Sequence, residues 1–223
     1  MRTKIIDVPL PSSEQVEYYL RAWDELENYH LQEDALDKLF FKLCLENTDM
    51  SDILLKVAAL NDFYSTNIFS VYPVANHILS LNIDDRLKTG DVTLVSDIQK
   101  VTINGVEKNF YSFATKYCSH HNHRSFPIYD SFVDKMLTYF KNRDDFAKNQ
   151  DDIAKFTKND LKQFSKFKKI IKAFSRCYDL DDFSLLQIDN YLWLLGKDVE
   201  QEKLERKKKK KLEQENSLIV EVD

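Results

Sequence analysis

Only three glycines (Gly90, Gly105 and Gly196) and four prolines (Pro9, Pro11, Pro73 and Pro127) punctuate the 223 residues. A sandwich or barrel of many short strands needs turn residues at every corner, so this scarcity points to helices. With 43% of residues hydrophobic, including 15 Phe and 11 Tyr, the chain can build one substantial aromatic core or two small helical lobes sharing a cleft. The expected fold class is all-α with at most one short hairpin.

The same patterning excludes other classes. No apolar run approaches the roughly 20 residues that span a bilayer, and Met1–Leu10 lacks the apolar stretch of a secretion signal. No membrane association and a cytoplasmic location are therefore expected. Cys44, Cys118 and Cys177 are odd in number and widely spaced, which fits buried hydrophobes better than disulfides. The net charge of −5 disfavours nucleic-acid binding by the whole surface but leaves room for a local basic face.

Along the chain, Ser12 with Gln15 predicts a capping box, and Val16, Tyr19, Leu20, Trp23 and Leu26 follow at helical spacing. Leu36, Leu39, Phe40 and Leu43 predict a second helix ending near Asn47, and Ser51 is expected to cap a third. Residues 67–81 are apolar on several sides, which places them at the centre of the fold, with a break or a fresh start at Pro73. Asp91 is expected to cap a helix bearing Val92, Val95 and Ile98. Asn104-Gly105, flanked by Val101, Ile103 and Val106, predicts either a two-residue hairpin or a tight loop. Helices are expected over Phe110–His121, from Asp130 onward, and over Leu161–Tyr178, where an apolar stripe opposes Lys162, Lys166, Lys169, Lys172 and Arg176. A last core helix, Leu185–Leu195, should stop at Gly196 as its C′ residue. Residues 1–196 thus read as one helical domain, and 197–223 as a charged tail, a helical extension or disordered.

Potential chemistry concentrates between Phe110 and Met136. Asp130 lies at a helix start, where free backbone N–H groups favour its charge, as they favour any capping aspartate. Lys116 would be a nucleophile if burial lowered its pKa, whereas most helical lysines reach water. Cys118, His120, His121 and His123 suggest a metal set, but no carboxylate partner is evident in the pattern, so neither a metal nor a cofactor is expected.

S-F-A-T-K-Y (Ser112–Tyr117) followed by P-I-Y-D-S-F-V (Pro127–Val133) resembles the core of helix-hairpin-helix (HhH-GPD) DNA glycosylases. The nearest likeness is to divergent bacterial proteins with an 8-oxoguanine DNA glycosylase fold. The likeness covers about Asp91–Val133, and I-D-N-Y-L-W-L-L-G-K (Ile188–Lys197) is similar in order and spacing. It implies two helical lobes around a DNA-binding cleft, in which a lysine attacks the sugar C1′ of a flipped nucleotide and an aspartate stabilises the cationic sugar. Asp130 matches the aspartate. Asn104-Gly105-Val106-Glu107 stands in place of the family's G-x-G hairpin, so the lysine is Lys116 or, alternatively, Lys108. DNA would be the partner, contacted through Asn104, Gly105, Ser112, His120, Arg124, Lys162, Lys166, Lys169 and Lys172. A catalytically inert member of the same fold, binding nucleic acid or protein, is the other reading of this pattern.

Overall fold

The computed structural model describes residues 8–220, with side chains through Lys211. Among them the chain forms eleven α-helices, one π-helical turn and one two-stranded sheet, so the all-α class with a short hairpin holds.

Helix α1 (Ser13–Asp24) begins where Ser12 Oγ accepts from the Gln15 amide at 3.3 Å. Leu26 lies beyond its end, at the start of α2 (Glu27–Lys38), which winds into a π-turn over Leu39–Leu43. Helix α3 (Met50–Tyr64) is capped not by Ser51 but by Asp49, whose carboxylate accepts from the Ser51 amide at 2.8 Å and from Asp52. The shorter serine stands inside the helix and can only receive that cap.

Helix α4 (Val71–Ser80) carries Pro73 in its first turn, where the missing N–H costs nothing. Only Val74, Ala75 and Ile78 are fully buried and Tyr72 is exposed, so α4 is amphipathic rather than central. The short α5 (Asp84–Thr89), which ends at Gly90 with φ 69°, has no counterpart among the helices that the sequence predicts. Asp91 accepts from the Thr93 amide at 2.8 Å just ahead of α6 (Leu94–Ile98).

Strands β1 (Lys100–Ile103) and β2 (Val106–Asn109) pair antiparallel, with Ile103 opposite Val106. Asn104 (φ 51°) and Gly105 (φ 78°) turn between them, both left-handed as a two-residue hairpin requires. Helix α7 (Tyr111–Ser119) is the central helix, since every residue but Ser112 is buried. The Asp130 carboxylate then opens α8 (Ser131–Asp144) by accepting from the Phe132 amide at 2.8 Å.

The expected continuous helix over 161–178 is two: α9 (Lys158–Leu161) and α10 (Phe164–Cys177). Helix α11 (Leu185–Val220) does not stop at Gly196. A Cβ there would stand 2.8 Å from Phe132 Cβ and 3.0 Å from Phe132 O, so this glycine lets α11 lie close against the start of α8. The charged segment beyond it is a helical extension through Val220, and residues 221–223 lie outside the described residues. Helices α1 and α8 pack along α11, α3 packs on α4 and α7, and the buried residues from Val8 to Leu195 form one contiguous core. No helix of the described residues is long and apolar enough to cross a membrane.

Candidate functional site

A cleft of about 280 Å³ opens beside α7, between α2 and α3 on one side and α8 and α11 on the other. Its chemistry begins with Lys116. Because α7 is buried on almost every side, this side chain cannot snorkel, and it is only 3% exposed. Its Nζ donates to Ser112 Oγ at 2.7 Å and Tyr129 O at 3.3 Å, lies 3.6 Å from Asp130 Oδ2, and sits 5.1 Å from the Tyr64 ring centre. Burial lowers the Lys116 pKa, while the Asp130 and Asp189 carboxylates act in the opposite direction.

Asp130 divides its two oxygens. Oδ1 holds the Phe132 amide and so fixes the start of α8, which leaves Oδ2 to face Lys116 at the cleft. Ser112 Oγ donates to Tyr129 O at 3.1 Å and accepts from the lysine, so it positions the amine.

Two further carboxyl groups line the cleft. Glu33 is raised in pKa by burial while it accepts a 2.5 Å hydrogen bond from Tyr64 Oη. Asp189, fully buried, is raised well above the carboxylate range even though Oδ2 accepts from the Ile128 amide at 2.6 Å. Its Oδ1 has no hydrogen-bond partner among the described residues. Trp23, Tyr29, Phe132 and Trp193 complete an aromatic wall, with Trp193 at 5.3–6.1 Å from the other three rings.

The structure thus brings Lys116, Asp130 and Ser112 together and leaves the other expected contacts outside the cleft. Lys108 is exposed on β2 opposite Val101, and Asn104 and Gly105 are exposed at the hairpin tip. Arg124 is exposed in the loop before α8.

His120 is not a phosphate contact. It is fully buried beside the Phe40 and Tyr64 rings, its Nε2 is 3.0 Å from Tyr64 Oη, and burial drives its pKa to about 3, so the ring is neutral. The basic stripe is also weaker than its sequence. Lys162 lies beyond α9 and off α10, Lys166 pairs with Asp160 at 2.6 Å, and Lys169 pairs with Asp152. Lys172 stays exposed.

Two clusters bring histidines of the 118–123 segment to partners that the sequence pattern does not place beside them. Lys56 is fully buried, donating to Glu46 O at 2.9 Å and Asn47 Oδ1 at 2.7 Å, with His121 Nε2 at 3.5 Å. Asp37 of α2 comes beside His120 and His123, supplying the carboxylate that linear spacing does not place there.

Comparison with known proteins adds the following. A family model, HI_0787_N, described as an N-terminal domain, matches residues 15–125, from α1 through α7 to the loop before Asp130. An uncharacterized protein of Haemophilus influenzae (strain KW20/Rd) is 47% identical over 156 residues, covering 70% of this chain and 71% of that one. No solved structure matches.

Proposed function

For this chain, which belongs to the family of that Haemophilus influenzae protein, we propose base excision on DNA, with a flipped nucleotide in the cleft and Lys116 as an amine nucleophile. The observation that carries this reading is a buried lysine held 3.6 Å from a capping aspartate in an aromatic-walled cleft. A volume of about 280 Å³ sits near the lower end of ligand sites, the size class of one base with part of its sugar. The aromatic rings offer stacking surface for an extruded base.

In the proposed reaction, Asp130 Oδ2 takes a proton from the Lys116 ammonium. The neutral amine then forms a bond to C1′ as the glycosidic bond breaks, and the base leaves with the electron pair. Asp130, which lines the cleft, then passes that proton to the leaving base. Ring opening gives a protonated imine, and β-elimination then nicks the strand. Burial supports this scheme by lowering the amine's pKa. The same reading includes a cytoplasmic location and contact of the exposed Lys172 side of α10 with phosphate.

The test is base release and strand nicking on oligonucleotides carrying oxidised, alkylated or deaminated bases. Asp130→Asn should slow base release by ~100-fold, the scale of losing one positioned charged group, while keeping an amide side chain able to cap α8. Lys116→Ala should abolish nicking and Lys108→Ala should not. The pairing of Lys166 and Lys169 with carboxylates favours a second reading, an inert member of the fold. Failure of the protein to release any base or open any abasic site would select it.

A further inference from the structure

One ring nitrogen each from His120 and His123 and one carboxylate oxygen of Asp37 lie within 4.8 Å of one another. Both rings are already oriented by second partners. His120 directs Nε2 at Tyr64 Oη, 3.0 Å away, and that hydroxyl donates in turn to Glu33. With Tyr64 donating to Glu33, the His120 tautomer that matches donates to Tyr64 through Nε2–H. Its Nδ1 is then an unprotonated lone pair, buried and without a partner among the described residues. His123 Nδ1 lies 3.3 Å from Ser119 Oγ, which leaves Nε2 to face Asp37 Oδ1 at 3.9 Å. A buried imidazole lone pair with nothing to accept from is costly, and a cation is the partner that would relieve it.

We infer that Asp37, His120 and His123 form a divalent transition-metal site of the zinc class, with Nδ1 of His120, Nε2 of His123 and a carboxylate oxygen of Asp37 as ligands. Two imidazoles and a carboxylate suit zinc, and three protein ligands leave a fourth position for water or a small anion. Zinc–ligand bonds of about 2.0–2.1 Å in a tetrahedron put ligand atoms about 3.4 Å apart. The exposed Asp37 carboxylate, at 3.9 Å from His123, can close that gap by a small side-chain shift. The Tyr64–Glu33 pair behind His120 and Ser119 behind His123 are outer-shell groups that fix ring orientation in such sites. Cys118 is buried in the core, and His121 faces Lys56, so neither joins the set. The metal would tie α2 to the end of α7 and hold the Glu33–Tyr64 wall of the cleft in place. Zinc binding at these three residues is independent of the lysine chemistry.

The experiment uses the full chain without an affinity tag, stripped with chelator and titrated with Zn²⁺ alone by calorimetry, with Co²⁺ absorption in parallel. The expected result is one zinc per chain and tetrahedral cobalt bands free of thiolate-to-metal charge transfer. Asp37→Asn and His123→Gln should each weaken binding by at least ~100-fold, and Ser119→Ala by ~10-fold, as an outer-shell group does. Asp37 and His123 are 53% and 24% exposed, so their variants should fold, with unchanged circular dichroism. Absence of stoichiometric zinc binding, wild-type affinity in Asp37→Asn, or a thiolate band from Cys118 would each overturn the assignment.

Discussion

The charge on single side chains decides what this cleft can do, and those charges respond to pH in a defined direction. The Lys116 pKa lies below the ordinary lysine value of about 10.4, with burial as the first cause and Asp130 opposing it. The neutral amine therefore accumulates below the usual lysine range. On a preformed abasic site, the rate of imine formation should rise with pH and level off below pH ~10. Asp130→Asn removes a carboxylate that favours the ammonium, so the midpoint should move to lower pH. A midpoint that stays put or rises would show that the pair is not coupled.

Lys56 gives a parallel test on stability. Burial lowers its pKa to about 8, against about 10.4 in the unfolded chain. Between those values the unfolded state binds more protons, so this group makes stability rise with pH, by at most ~1.4 kcal/mol per pH unit. Denaturant unfolding at pH 8 and pH 10 should show wild type gaining stability relative to Lys56→Met. Equal pH dependence in the two proteins would mean that Lys56 is not titrating.

Asp130 was legible in the sequence because capping is local: an aspartate ahead of an apolar helical pattern has few other roles. Glu33, Tyr64 and Asp189 were not, because they reach Lys116 from α2, α3 and α11, and nothing in local spacing says which helices will meet.

Among the elements, periodicity located the helices well and misjudged their ends and their neighbours. The same glycine serves as a C′ stop or as a point of close approach, and only packing distinguishes the two uses. Gly196 is the second kind, because a methyl group added there on α11 would stand 2.8 Å from Phe132 Cβ. Replacing a helical glycine by alanine ordinarily gains about 1 kcal/mol in propensity. Here overpacking costs about 1–3 kcal/mol, so Gly196→Ala should be net destabilising in denaturant unfolding. A stabilised variant would mean that α8 yields freely.

The basic stripe was likewise half legible. Spacing showed the lysines of α10 on one face, but Asp152 comes from the loop after α8 and pairs with Lys169. Asp152→Asn should therefore strengthen DNA binding and steepen its salt dependence by about one unit of slope. Unchanged binding would assign the stripe to solvation.

For the whole molecule, the arrangement matters more than any element. The matched N-terminal domain, residues 15–125, supplies Lys116 and the Glu33–Tyr64 wall, while Asp130 and Asp189 lie beyond it. The cleft is completed only when α8 and α11 close over α7, which explains why no single motif announces it. Two lobes sharing a cleft fit the composition, yet the core beneath them is continuous. Spacing alone could not tell these apart, because amphipathic helices bury their stripes equally well in one core or in two.

The proposed chemistry stands or falls on Lys116 acting as a nucleophile at a sugar carbon. Borohydride reduction in the presence of abasic-site DNA, followed by proteolysis and mass mapping of the adduct, addresses this without intermediates. One covalent complex is expected, with the reduced sugar attached to the peptide containing Lys116, and no complex from Lys116→Ala. An adduct on Lys108 or another lysine, or no adduct at all from the wild-type chain, would contradict it.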